Sequence, residues 1–138
     1  MVHILHSWKQ YLTKDDYTFL LQFVENAKNH IPNEKIIILS GIGRNGKTTL
    51  MHEIMFYIGS QYCYEGNEPH CGVFKKSPRQ MIIIHGGIEY FKHDNENTKQ
   101  LLDLIEKQRS IICDTSKLDL VDPSIFDKAY IINMKHIF

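Results

Sequence analysis

The sequence predicts an α/β protein of three layers, with a mostly parallel sheet of about five strands between flanking helices. Two observations carry that prediction. Short, continuous, isoleucine-rich runs, KIIILSG and QMIIIHGG among them, alternate with segments of helical periodicity. The first of these runs enters a glycine-rich turn, and the turn opens directly into a helical pattern.

The elements follow in order. TKDDYTFLLQFVENAKNH, Thr13 to His30, reads as a helix, because Phe19, Leu20, Phe23, Val24 and Ala27 recur on one face. Thr13 is placed to cap it, with Asp16 three residues on as in a capping box, and Ile31-Pro32-Asn33 ends it. Lys35 to Gly41 reads as a buried strand. Lys47 to Ile58 is the next helix, with Leu50, Ile54 and Ile58 on one stripe and Gly59 at its end. Gln61 to Gly72 reads as loop, and Cys71 to Lys75 as a short strand. Gln80 to Ile84 repeats the pattern of the first strand. Asn95 to Gln108 reads as a helix whose inner face holds Leu101, Leu102, Leu104, Ile105 and Gln108. Ser110 to Cys113 is a strand, Asp122 to Phe126 a helical turn, and Tyr130 to Met134 the last strand.

Bulk properties bound the function. The 138 residues suit one domain, residues 1–138, with a helical N-terminal segment over 1–32 and the core over 33–138. Met1 and the capped first helix favour a natural start. Sixteen basic residues balance sixteen acidic ones, so no overall basic surplus marks a nucleic-acid grip. Apolar runs such as Ile36–Leu39 and Met81–Ile84 are too short to span a membrane, and MVHILHSWKQ lacks the form of a signal peptide. Three cysteines, Cys63, Cys71 and Cys113, form an odd, sparse set that suits reduced thiols inside a cell, in cytoplasm or nucleus. Cys63, His70 and Cys71 lack the close pairs of a zinc site and are read as buried or loop residues.

The turn is the informative stretch. Gly41-Ile42-Gly43-Arg44-Asn45-Gly46-Lys47-Thr48 fits G-x-x-x-x-G-K-S/T in full, between a strand and a helix. Such a loop wraps a phosphate with backbone N–H groups and aims a helix N-terminus at the anion. Lys47 is expected to reach the β- and γ-phosphates, and Thr48 to offer its hydroxyl to Mg²⁺. The expected nucleotide-binding set is Gly41, Gly43, Arg44, Asn45, Gly46, Lys47, Thr48 and Thr49, with ATP or ADP and Mg²⁺ as ligands. Arg44 and Asn45 have three open roles: phosphate, a neighbouring subunit, or water.

GIGRNGKTT resembles the phosphate loop of viral and phage superfamily 3 helicases, a branch of the AAA+ group of P-loop NTPases. The likeness runs on over residues 35–138. QMIIIHGGIEYF falls where that family has its Walker B strand. The later region of AAA+ proteins commonly reads as an apolar strand, T-N, a D-P-A-like turn, an arginine pair and a final strand. Here it is Thr115-Ser116, Asp122-Pro123-Ser124, Asp127-Lys128 and Tyr130 to Met134. The resemblance implies an ATPase of the P-loop NTPase fold, a minimal helicase core. It implies action in viral DNA replication, assembly as a homo-oligomeric ring, and single-stranded DNA or RNA as a partner.

The departures from that family are as informative. The Asp-Glu pair that orients Mg²⁺ and polarises the attacking water is replaced by His85-Gly86. The sensor Asn is replaced by Ser116, and the arginine finger by Asp127-Lys128. Together these imply slow hydrolysis or none. Two acids are candidates to compensate: Glu89, as a base, and Asp114, as the metal-side carboxylate. With Asp114 in that role SIICD becomes the Walker B strand, as in kinase-like P-loop folds. The candidate catalytic set is therefore Lys47, Glu89, Asp114 and Ser116, and the metal set Thr48 and Asp114, with His85 a weaker candidate. Little room remains between His85 and Arg109 for a DNA-gripping hairpin, and Lys75, Lys76, Arg79, Lys92 and His93 read as solvated. The four residues after Met134 leave no room for a helical lid. Three functions stay open: a superfamily 3-like ATPase, a hydrolysis-deficient regulatory or assembly module, and a small P-loop kinase.

Overall fold

The structure is a computed structural model, and it describes residues 3–41, 46–67, 81–85, 88, 91, 96–106 and 110–134. Among the described residues five strands form one sheet: β1 (Ile36–Ser40), β2 (Cys63–Asn67), β3 (Met81–His85), β4 (Ser110–Thr115) and β5 (Ala129–Asn133). Their order is β2-β3-β4-β1-β5, and every pairing is parallel. Among the described residues the α-helices are α1 (Lys14–Lys28), α2 (Lys47–Ile58), α3 (Glu96–Glu106) and α4 (Pro123–Phe126). The α/β three-layer expectation holds.

Strands buried on both faces read as unbroken apolar runs, and β1 and β4 are buried at every position. Alternate residues serve two cores. Ile37, Leu39, Ile83 and Ile112 meet Leu20, Phe23, Val24, Leu50, Met51 and Ile54 of α1 and α2 on one face. Ile38, Ile82, Ile84 and Ile111 meet Leu101, Leu104 and Ile105 of α3 and Ile125 of α4 on the other. Full burial of each such side chain contributes about 1.5–3 kcal/mol before the entropy of ordering is subtracted.

The ends of α1 refine the expectation. Thr13 Oγ1 accepts from the Asp16 N–H at 3.1 Å, as a cap should. The Asp16 carboxylate does not complete a capping box; it accepts from the Tyr130 hydroxyl at 2.8 Å and so ties α1 to β5. The helix stops with His30 at φ 60°, while the Ile31 N–H donates to Asn26 O at 2.8 Å, a left-handed closure that a glycine more often provides.

Two elements differ from expectation. The segment read as loop from Gln61 contains β2, parallel to β3. CYEGN carries no apolar run because backbone pairing to β3 makes the strand, not side-chain pattern. A 3-10 helix over His3–Gln10 was not foreseen. Leu5 and Trp8, three residues apart, match its three-residue turn and are buried against the α1–α2 core. The expected strand Cys71–Lys75 lies outside the described residues, as do Asn95, Lys107 and Gln108 at the ends of α3. Cys63 and Cys113 are buried thiols, whereas His70 and Cys71 fall outside the description.

Candidate functional site

With all strands parallel, their carboxyl ends share one edge of the sheet, the edge where open α/β folds bind ligands. The end of β1 is fixed there from both sides. The Gly41 N–H donates to Thr115 O of β4 at 3.1 Å, and the Met134 N–H donates to Ser40 O at 2.7 Å. The chain then returns as α2, whose N-cap is Gly46 at φ 88°. That left-handed backbone strains any residue with a Cβ, which explains the glycine before the lysine.

Lys47, the first residue of α2, is only 9% exposed, and its Nζ donates to the Gly41 carbonyl. Burial pushes its ammonium below the ordinary lysine range, and the Asp114 carboxylate acts in the opposite direction. Residues in register across a parallel sheet project to the same face. Asp114 is in register with Leu39, which packs in the α1–α2 core, so its side chain projects to the α2 face of the sheet, the face on which Lys47 opens α2. Thr48 and Thr49 are exposed on the first turn of α2.

On the opposite side of the same edge, Ser40, Gly41, Ser116, Leu118, Asp119, Phe126 and Met134 line an open cleft of about 680 Å³. Thr115 Oγ1 accepts from the Lys117 N–H at 3.0 Å and turns the chain out of β4, leaving Ser116 exposed at the rim. Asp122 Oδ1 accepts from the Ser124 N–H at 3.0 Å and caps α4, so the Asp-Pro-Ser turn is a helix start.

Of the residues expected at the site, Gly41, Gly46, Lys47, Thr48, Thr49, Asp114 and Ser116 gather at this edge. Gly43, Arg44, Asn45 and Glu89 lie outside the described residues, and so do Lys75, Lys76, Arg79, Lys92 and His93. His85 ends β3, separated from β1 by β4. Asp127 and Lys128 lie at the far edge, where Lys128 O accepts from the Ile36 N–H at 3.0 Å at the start of β1. Within one chain they do not join the loop. The apolar cleft residues Leu118, Phe126 and Met134 were not foreseen. Each also reads as ordinary packing, and only the fold brings them beside Gly41.

This is the AAA+ type of P-loop NTPase fold. The likeness rests on solved structures: no protein-family model matches the sequence, and no curated protein does. A RuvB A156S mutant of Thermotoga maritima matches with a TM-score of 0.67 at 16% identity, over 91% of this chain and 46% of that one. The T. maritima RuvB Holliday junction branch migration motor matches with a TM-score of 0.60 at 17% identity, over 90% and 45%. A HORMA:CdnC:Trip13 complex of E. coli MS115-1 also gives 0.60, at 12% identity, over 96% and 63%. The chain thus spans less than half of each RuvB chain. Among the described residues no helix is long and apolar enough to cross a membrane.

Proposed function

We propose that this chain binds ATP or ADP with Mg²⁺ at the carboxyl edge of β1 and β4, as an AAA+ type P-loop protein. The observation that carries the reading is Lys47: a buried ammonium at a helix N-terminus, against the carbonyl of the first loop glycine. A buried cation against a neutral carbonyl, with the field of the Asp114 carboxylate acting on it, suits a polyphosphate, and the start of α2 adds N–H groups of the right polarity. In this reading the set running from Gly41 to Thr49 holds phosphate, and Thr48 with Asp114 holds the metal. Mg²⁺, when bound, would neutralise phosphate charge. Ser116, a shorter group, stands where the sensor asparagine is expected, and Glu89 remains the candidate base.

Slow ATP hydrolysis is the activity we assign. A hydrolysis-deficient binding module is the second reading, favoured by His85-Gly86 where the acid pair is expected. A ring of copies, a single-stranded nucleic-acid partner, a role in viral replication and an intracellular site belong to the same proposal. The first three rest on the superfamily 3 resemblance and on the likeness to a branch-migration motor, the last on the odd, sparse set of cysteines.

The test is a calorimetric titration of ATP with Mg²⁺, on wild type and Lys47→Ala, followed by phosphate release in the same samples. Loss of the buried ammonium is expected to weaken ATP by at least about 30-fold, or about 2 kcal/mol. Phosphate release above the variant's level supports the ATPase; binding without release supports the module. Equal affinity in the two proteins would sink both.

A further inference from the structure

At the amino edge of the sheet, opposite Gly41 and Lys47, lies a second cavity. It has a volume of about 410 Å³ and opens where α1 meets the segment that leads into β1. Helix α1 contributes Phe19, Gln22 and Asn26 to its lining, and the segment before β1 contributes Pro32 and the buried Asn33. Small-molecule sites have this size and this mixture of apolar wall and few polar groups.

Its polar part is a relay of amides whose orientation is fixed from the inside. The main-chain carbonyl of Phe23 can only accept, so the Asn33 group that meets it at 3.1 Å is the Nδ2 donor. Asn33 also donates to Ser110 Oγ at 2.8 Å, which leaves its Oδ1 for Asn26. Asn26 must therefore donate, at 3.0 Å, and its own Oδ1 accepts from Gln22 Nε2 at 2.8 Å. Every bond of the relay runs inward. At the outer end Gln22 keeps one N–H and its Oε1, a donor and an acceptor side by side on a flat group, and among the described residues neither has a partner.

The apolar part suits a flat ring. Phe19 is held by its stack on Tyr130, with ring centres 3.9 Å apart and planes 5° from parallel. Pro32 adds a rigid apolar surface. An aromatic wall beside a Gln or Asn amide is the chemistry that holds a nucleobase, the ring on the aromatic and the edge on the amide. Glu34 and Lys35 also line the cavity, one charge of each sign, and among the described residues neither has an ion pair. With no net charge there, the cavity has no grip on a polyphosphate.

We infer that this cavity binds a neutral, planar heterocycle of nucleobase type, its edge on the Gln22 amide and its ring against Phe19 and Pro32. The site is separate from the one proposed for ATP: its lining runs from Phe19 to Lys35, at the other edge of the sheet. A free nucleoside and an unstacked base of a single strand offer this same chemistry, and the test tells them apart.

The experiment follows the isotope-labelled full chain by NMR as adenosine is added, for wild type, Gln22→Leu, Phe19→Leu and Lys47→Ala. Adenosine carries a donor amine beside a ring-nitrogen acceptor. It is expected to shift the side-chain amide signals of Gln22 and Asn26 and the backbone signals over residues 33–35, with a Kd below about 1 mM. Gln22 is exposed, so Gln22→Leu keeps the fold, and it should weaken adenosine at least about fivefold. Phe19→Leu should weaken it at least about threefold, and Lys47→Ala should leave it unchanged. Purine riboside, which lacks the amine, should bind wild type about fivefold more weakly than adenosine and lose little more in Gln22→Leu. A short oligodeoxyadenylate that binds at least about tenfold tighter than adenosine, and still depends on Gln22, assigns the base to a single strand; binding no tighter than adenosine assigns it to a free nucleoside. Full adenosine affinity in Gln22→Leu, or no shift at Gln22, Asn26 and 33–35 with either probe, overturns the inference. Shifts confined to the start of α2 and lost in Lys47→Ala overturn it as well, and leave the nucleotide reading standing.

Discussion

Asn33 shows how much of a fold can hang on one side chain that looks like loop. It follows Pro32 and is only 8% exposed. Its Nδ2 donates to Phe23 O at 3.1 Å and to Ser110 Oγ at 2.8 Å, while its Oδ1 accepts from Asn26 at 3.0 Å. One amide thus joins the end of α1 to the start of β4. Replacing it with alanine leaves buried groups without partners, which costs about 2 kcal/mol. Asn33→Ala should therefore lower the free energy of unfolding by that amount, read as a lower urea midpoint at an unchanged slope; a loss below about 0.5 kcal/mol would show that water replaces the amide without loss. Nothing in IPNEK announces this role, because an asparagine after proline has the same letters whether it ends a helix or bridges a core. Lys47 was legible for the opposite reason. Its chemistry is fixed by spacing to glycines within eight residues, whereas the partners of Asn33 are set by the tertiary fold.

At the scale of elements, helix α1 is fastened to its neighbours by aromatic rings with polar tips. The Tyr57 hydroxyl of α2 donates to Glu25, and Lys28 lies 4.4 Å from the centre of the Tyr57 ring. Phe19 stacks on Tyr130 at 3.9 Å between ring centres, and the Tyr130 hydroxyl donates to Asp16. Each phenol is pushed up to about 12: Tyr57 first by its bond to Glu25, Tyr130 first by burial. The linkage has a definite sign. An unfolded phenol releases its proton near pH 10, before the folded one does, so between about pH 10 and 12 the folded chain holds more protons. The stability from these ties is complete below pH 10 and is lost as pH rises through about 12. Melting midpoints of wild type should fall over that window more steeply than those of a Tyr57→Phe, Tyr130→Phe double variant. Parallel curves would mean that the two hydroxyls do not hold the helix. These ties were invisible in the sequence, where Tyr57 and Tyr130 are simply members of apolar runs. The strands were legible because burial on both faces leaves only one kind of residue to choose.

For the whole molecule, the question is whether the N-terminal segment belongs to the same cooperative unit as the sheet. Trp8 is the chain's single tryptophan, and it sits in the 3-10 helix that the sequence pattern did not reveal. It is 4% exposed, packs in the core shared by α1, α2 and the sheet, and its indole N–H donates to Glu53 of α2. Glu53 lies on the helix that begins with Lys47, so the segment is docked on the element that presents that lysine. A core shared in this way has no internal boundary at which the N-terminal segment could let go while the sheet stays folded. Indole fluorescence should therefore lose its buried signature at the same denaturant concentration at which far-UV circular dichroism loses the helices, with one midpoint and one slope. The single tryptophan makes the fluorescence a report on that segment alone. An indole transition at lower denaturant than the dichroism would mean that residues 3–10 detach first, and that the sheet with its loop is the true unit. Coincidence would make any weakening of the N-terminal packing a loss for α2 and its Lys47 as well, since both then stand on the same free energy of unfolding.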